Sequence, residues 1–180
     1  MKMSVRALIP LVLFAGVLIA FFVGTRLNPN ELDSPLIGKT LPAFELESVY
    51  DDQPPVNSEQ FRGKVTLINA FGSWCPTCLV EHPFLMELGQ RDDILLVGLD
   101  WNERSKTDAL NWLARHGDPY DLIAFDVQNL VTIDLGIYKS PETLLVDPQG
   151  VVLLKHDGAL NEDIWQKKFV PLIKQMETGQ

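Results

Sequence analysis

Cys75-Pro76-Thr77-Cys78 holds both cysteines of a 180-residue chain. The spacing lets two sulfurs meet at the first turn of a helix, where they can close into a disulfide or open into a dithiol. One such pair with no other cysteine reads as a redox device rather than a stapled scaffold. The competing reading is an incidental, reduced Cys-x-x-Cys. At a helix start, unpaired backbone N–H groups and the helix dipole favour a thiolate, which makes Cys75 the nucleophile. Pro76 lacks an N–H and stiffens the turn. Thr77 lies between the sulfurs with no specific task assigned to it. The expected chemistry is attack by Cys75 on a partner's disulfide, followed by attack of the less exposed Cys78 on Cys75. Trp74, directly before Cys75, either packs or shields the sulfur and offers a docking surface.

Two carboxylates accompany the pair. Glu81 lies one helical turn after Cys78, and Glu142 directly follows Pro141. The bland alternative is a pair of solvated surface groups. Brought to the sulfurs, they would disfavour the thiolate. A less stabilised reduced form is a stronger reductant. Either could also accept the proton of Cys78. On this reading Glu142→Gln lowers the pKa of Cys75 and makes the disulfide easier to reduce. His82, four residues after Cys78, would allow a soft metal on Cys75, Cys78 and His82. Haem attachment is excluded because Leu79, not histidine, follows Cys78. His116 and His156 read as surface residues, and Trp101, Trp112 and Trp165 as core or half-buried aromatics. Asp100-Trp101-Asn102 is a weaker candidate for lining a groove.

These residues need a scaffold. Val65–Phe71 and Ile94–Leu99 read as buried strands. Between them, Cys75–Leu88 has helical character, with Leu79, Leu85 and Leu88 inward and Pro83 as a kink. Thr107–His116 is an amphipathic helix. Leu122–Phe125 is a short strand, and Asn129–Leu135 a short helix ending at Gly136. Thr143–Val146 and Val151–Lys155 flank a hairpin turn. Asn161–Met176 is a final helix bent at Pro171. Phe44–Leu46 is a short strand, and residues 51–57 form a loop. Alternating strands and helices predict an α/β fold with a mixed central sheet flanked by helices. The cysteines sit at the carboxyl end of a strand, where such folds place their sites.

The N-terminus carries a second signal. Residues 7–23 are apolar, with Lys2 and Arg6 before them and Arg26 after. A cleaved signal peptide competes with a retained transmembrane helix. The run exceeds a usual signal core and lacks an Ala-x-Ala site, which favours the anchor. Leading basic residues place the N-terminus in the cytoplasm. The expected organisation is a cytoplasmic 1–6, an anchor at 7–24, a linker at 25–40 and one domain at 41–180. Fifteen basic against 24 acidic residues give a net charge of -9, which argues against a nucleic-acid partner.

An apolar strand, Trp74-Cys75-Pro76-Thr77-Cys78, a helix with Pro83, and Ser140-Pro141 before a strand together resemble the thioredoxin fold. That resemblance implies a cis peptide at Pro141 facing the disulfide. Residues 35–39, 69–78, Glu81-His82, and 134–138 leading to Pro141-Glu142-Thr143 resemble the CcmG/DsbE family. These are membrane-anchored thiol:disulfide interchange proteins of cytochrome c maturation. The resemblance implies a protein-disulfide reductase with no cofactor beyond the Cys75–Cys78 disulfide. It implies a single-pass protein of the bacterial inner membrane whose domain faces the periplasm. Electrons would come from a membrane thiol reductase of the DsbD/CcdA type and go to apocytochrome c or a CcmH-type partner. Rival roles are an oxidase or isomerase on the same fold, or a metal or apoprotein chaperone without turnover. Two departures stand out. Lys139-Ser140 replaces the Gly-Ala expected before Pro141, which bears on partner docking. Asn69 stands where thioredoxins carry a buried aspartate, so another proton acceptor is needed.

Overall fold

The computed structural model describes residues 5–26 and 34–178, which fall into two compact units divided after Leu32. The first is one helix, α1 (Val5–Arg26, 22 residues). Among the described residues no helix is long and apolar enough to cross a membrane. Several side chains of the expected 7–24 anchor, and residues 27–33 of the expected 25–40 linker, lie outside the described residues.

The second unit is built on a seven-stranded sheet. Its strands are β1 (Glu45–Ser48), β2 (Val56–Asn57), β3 (Val65–Phe71), β4 (Ile94–Trp101), β5 (Leu122–Asp126), β6 (Glu142–Val146) and β7 (Val152–Asp157). They lie in the order β2-β1-β5-β4-β3-β6-β7. Strands β3, β4 and β5 are parallel; β6 runs antiparallel to β3, and β7 to β6. The mixed sheet and the predicted strands agree within a residue or two, but β2 lies inside what reads as a loop. Its two residues, one of them valine, are too few to show a period.

The parallel strands are joined by α2 (Pro76–Leu88) and α3 (Lys106–His116). Both helices bury their apolar sides on one face of the sheet, with Leu67, Phe71, Leu96 and Ile123. The terminal helical stretch packs there too, through Trp165, Phe169 and Ile173. The opposite face buries Ile68, Ala70, Val97, Leu144 and Val146 under Leu135 and Ile137, which follow α4 (Leu130–Asp134). Residues 34–40 are tied to the domain, since the Gly38 N–H donates to the Val152 carbonyl at 2.8 Å.

Two helices differ from their sequence reading. The inward stripe of α2 is Cys78, Glu81, His82, Leu85 and Leu88, while Leu79 is half-exposed. The i, i+3, i+4, i+7 spacing is kept, but two of its members are polar. As read from the sequence, the helix runs on through Pro83. The carbonyl that Pro83 leaves unpaired, that of Leu79, belongs to the solvent-facing side. The terminal helix starts as α5 (Glu162–Ile164), widens to a π segment at Trp165–Phe169 and continues as α6 (Val170–Thr178). The Val170 N–H donates to the Trp165 carbonyl. This wider turn gives the Pro171 ring room against the preceding turn.

Candidate active site

Cys75 and Cys78 form a disulfide with Cα atoms 5.3 Å apart. Val65–Phe71, a buried β-branched and apolar strand, carries the chain to the top of the sheet, and α2 starts five residues later. Cys75 is the N-cap of α2, and Pro76 occupies its first position. Thr77, in the same first turn, is exposed. The Cys78 N–H donates to Cys75 Sγ at 3.1 Å. An N-terminal turn thus directs an orphan donor and the positive end of the dipole at one sulfur only. The two sulfurs differ by this, not by exposure: the two residues are 3% and 2% accessible.

Trp74 is 43% exposed beside the disulfide. Its indole N–H donates to the Trp101 carbonyl at 3.1 Å, and the two rings meet edge to face at 5.8 Å. The Trp101 indole N–H in turn donates to Ser140 Oγ at 2.6 Å. Ser140–Pro141 is a cis peptide. Ser140, read from the sequence only as a departure, therefore links the cis-proline loop to β4 and to Trp74. Trp74 also borders a cleft of about 600 Å³ lined by Ser73, Asn102, Glu103, Arg104 and Asp108. Glu103 accepts both the backbone N–H and the hydroxyl of Ser73.

Glu81 is buried beneath α2, one turn after Cys78. Its Oε1 accepts Asn69 Nδ2 at 2.9 Å, and its Oε2 accepts the Leu160 N–H at 2.7 Å. Burial pushes its carboxyl up to about 7, against the pull of these two donors. Asn69 also donates to Thr143 Oγ1 at 3.1 Å and accepts from the Tyr120 hydroxyl at 2.8 Å. Asn69 thus lacks the carboxylate of thioredoxins but holds one supplied by the neighbouring helix.

Glu142 is equally buried, but it is not brought to the sulfurs. It alternates with Leu144 and Val146 and so faces away from α2, towards the other core. There it forms an ion pair with Lys155 Nζ at 2.8 Å. Lys155 also donates to the Gly136 carbonyl at 2.6 Å and lies 5.5 Å from the Tyr138 ring centroid. Burial raises the Glu142 carboxyl pKa, and Lys155 opposes that rise. The alternation of β6 sends Glu142 and Thr143 to opposite faces, so only Thr143 joins the Glu81 network.

His82 turns toward α3. Its Nε2 is 3.1 Å from the Gly117 carbonyl, and its ring meets Trp112 edge to face at 4.6 Å. Burial lowers its pKa. Among the described residues no group of three His, Cys, Asp or Glu side chains is arranged to hold a metal. His156 is buried rather than on the surface; it faces Phe169, and burial lowers its pKa too. His116 is exposed.

Asp100, near the carboxyl end of β4, reads from the sequence only as part of a groove. It is fully buried, and neither carboxylate oxygen has a hydrogen-bond partner among the described residues. Burial pushes its pKa up to about 9, helped by Glu103 and Asp108. The sole sequence signal for it is a carboxylate one residue before the end of an otherwise apolar strand.

Comparison with known proteins matches this arrangement. The Redoxin family model matches residues 36–168. A thiol:disulfide interchange protein DsbE from Yersinia pestis is 42% identical over 180 residues, covering 95% of this chain and 93% of its own. The DsbE protein of Escherichia coli is 36% identical over 171 residues, covering 92% and 91%. The chain belongs to the Redoxin family, among its DsbE thiol:disulfide interchange proteins. Its cysteine pair is accordingly that of a disulfide oxidoreductase. This chain shares its fold with a DsbF homologue from Corynebacterium diphtheriae at a TM-score of 0.63 and 21% identity, covering 78% and 86% of the two chains. StoA from Bacillus subtilis is similar at 0.58 and 16% identity, covering 74% and 98%.

Proposed function

We propose that this oxidoreductase works as a reductant in cytochrome c maturation, tethered by its N-terminal helix to the inner membrane with its domain in the periplasm. The observation that carries the proposal is the asymmetric disulfide at the start of α2, with the buried Glu81 one turn below it. In the reduced protein, Cys75 as thiolate keeps the Cys78 N–H as a donor. It attacks one sulfur of a client disulfide, forming a mixed disulfide and releasing the first client thiolate. Cys78 then gives its proton to Glu81 and attacks Cys75 Sγ. The Cys75–Cys78 disulfide forms, and the second client sulfur leaves as thiolate. The client gains two electrons, which the chain loses. The disulfide itself is the electron carrier, so no further cofactor is required.

Reduction is favoured over oxidation by what surrounds the pair. Glu81 lies buried on the inward stripe of Cys78, and the chain carries a net charge of -9. Negative charge and burial both weigh against a thiolate, and a less stabilised reduced form is the better donor. The client we propose is the oxidised Cys-x-x-Cys-His of apocytochrome c, or a CcmH-type partner. The proposed electron source is a membrane thiol reductase of the DsbD/CcdA type. Tethering would raise the local concentration at the assembly site.

The test is trapping. The Cys78→Ser variant lacks the resolving thiol, so it should accumulate as a mixed disulfide with apocytochrome c or the CcmH-type protein in periplasmic membranes. Capture only of broad, unrelated clients would instead support a general oxidase or isomerase. Full function of Cys75→Ser would support a chaperone without turnover.

A further inference from the structure

Glu81 Oε1 has a side-chain donor, the Asn69 amide, and what decides which end of that amide faces Glu81 lies further off. Asn69 is fully buried, and its amide could present either N–H or C=O to the carboxyl group. The Tyr120 hydroxyl sits 2.8 Å from Asn69 Oδ1 and donates to it. With Oδ1 engaged there, Nδ2 points to Glu81 at 2.9 Å and to Thr143 Oγ1 at 3.1 Å. The Tyr120 phenol is itself fixed by stacking on Phe71 at 4.8 Å.

We infer that Tyr120, acting through Asn69, is a positioning residue that keeps an N–H donor on Glu81 and so holds it as a proton acceptor for Cys78. The inference rests on the proposed role of Glu81. An N–H donor favours the carboxylate, whereas a reversed amide would present C=O and favour the protonated acid. Removing the Tyr120 hydroxyl frees that reversal and leaves Oδ1 buried without a donor.

Other groups that titrate or carry charge around this network are few. On α2, Cys78 and His82 share the inward stripe with Glu81. From β4, Asp100 acts on Tyr120; from the loop before β5, Asp118 accepts the Tyr120 N–H at 2.9 Å and also acts on the phenol. From β7, His156 pairs in register with Thr143. The terminal segment contributes the backbone N–H of Leu160. Both hydrogen-bond donors on Glu81 are therefore neutral amides, and reversing the side-chain one matters.

The experiment is titration of the Glu81 carboxyl by carbon NMR in the oxidised protein, where neither cysteine titrates. Tyr120→Phe keeps the ring stack and should raise the midpoint by roughly 0.5–1 pH unit, the worth of one hydrogen bond. Asn69→Ala should raise it at least as far. The double variant should go no further than Asn69→Ala alone, because Tyr120 acts only through Asn69. An unchanged midpoint in Tyr120→Phe, or additive shifts in the double variant, overturns the inference. If Tyr120→Phe does not fold, an unmoved midpoint in Asn69→Ala overturns it instead. A separate measurement keeps the underlying reading apart: the pH profile of disulfide exchange in Glu81→Gln. If that profile matches the parent's, Glu81 is not the acceptor, while the titrations still decide whether Tyr120 sets its protonation.

Discussion

Glu81 carries the residue-scale account. Its folded carboxyl, pushed up to about 7 by burial, is protonated below neutrality and able to accept a proton above it. The exchange rate should therefore rise as pH passes through about 7. Glu81→Gln should flatten that rise and lower the rate at pH 8 by at least roughly tenfold; stopped-flow exchange with a model disulfide measures both. A second residue-scale prediction concerns Ser140. Ser140→Ala removes the acceptor of the Trp101 indole N–H, so tryptophan fluorescence should change and KM for a protein client should rise more than kcat falls. Much of this was legible in the chain: Cys75, Cys78 and Glu81 stand out by spacing, and Pro141 by the resemblance to the thioredoxin fold. Tyr120 was not, because a tyrosine in a loop 42 residues after Cys78 has no local pattern tying it to Asn69. Asp100 was not, because one acid near the end of an apolar strand reads as a solvent-facing residue and not as a buried one.

The elements explain where sequence reasoning misplaced a group. Glu142 reads as a neighbour of the sulfurs because it follows Pro141, but β6 alternation turns it to the other face. There it ties β6 to β7 through Lys155. Glu142→Gln should thus leave the redox potential nearly unchanged, contrary to the sequence expectation. It should destabilise the domain by about 1–3 kcal/mol, because the largely buried Lys155 loses the nearer of its two charged partners, keeping only Asp157 at 3.8 Å; chemical denaturation and a redox titration on the same variant separate the two effects. In α2 the apolar period pointed to Leu79, while the real stripe includes Glu81 and His82. Polar residues at inward positions hide a helix face from any hydrophobic count, and here they hide it where the chemistry lies. The π segment before Pro171 was invisible for another reason: Pro171 signals a disturbance but not whether the helix bends or widens.

For the whole molecule, the parallel core of β3, β4 and β5 was readable from two apolar runs and the helices between them. The same apolar sheet imposes a pH dependence on stability. Glu81 and Asp100 have folded pKa values raised to about 7 and about 9. The folded protein then holds protons that the unfolded chain releases above its ordinary carboxylate range. The contribution of these two acids to the unfolding free energy falls as pH rises from about 4 towards 9, in the sense opposite to a salt-bridged carboxylate, while His82 and His156, whose pKa values burial lowers, act in the reverse sense below about 6.5. Denaturation midpoints of the oxidised protein should be higher at pH 7 than at pH 8.5. Asp100→Asn, which cannot ionise, should narrow that difference by at least about 1 kcal/mol.

The central claim is that the Cys75–Cys78 pair gives electrons to its client. Equilibration of the full-length protein with glutathione or dithiothreitol buffers at pH 7 measures this directly. The account predicts a potential more negative than about -180 mV. A value above that, in the range of disulfide isomerases and strong oxidants, would contradict it.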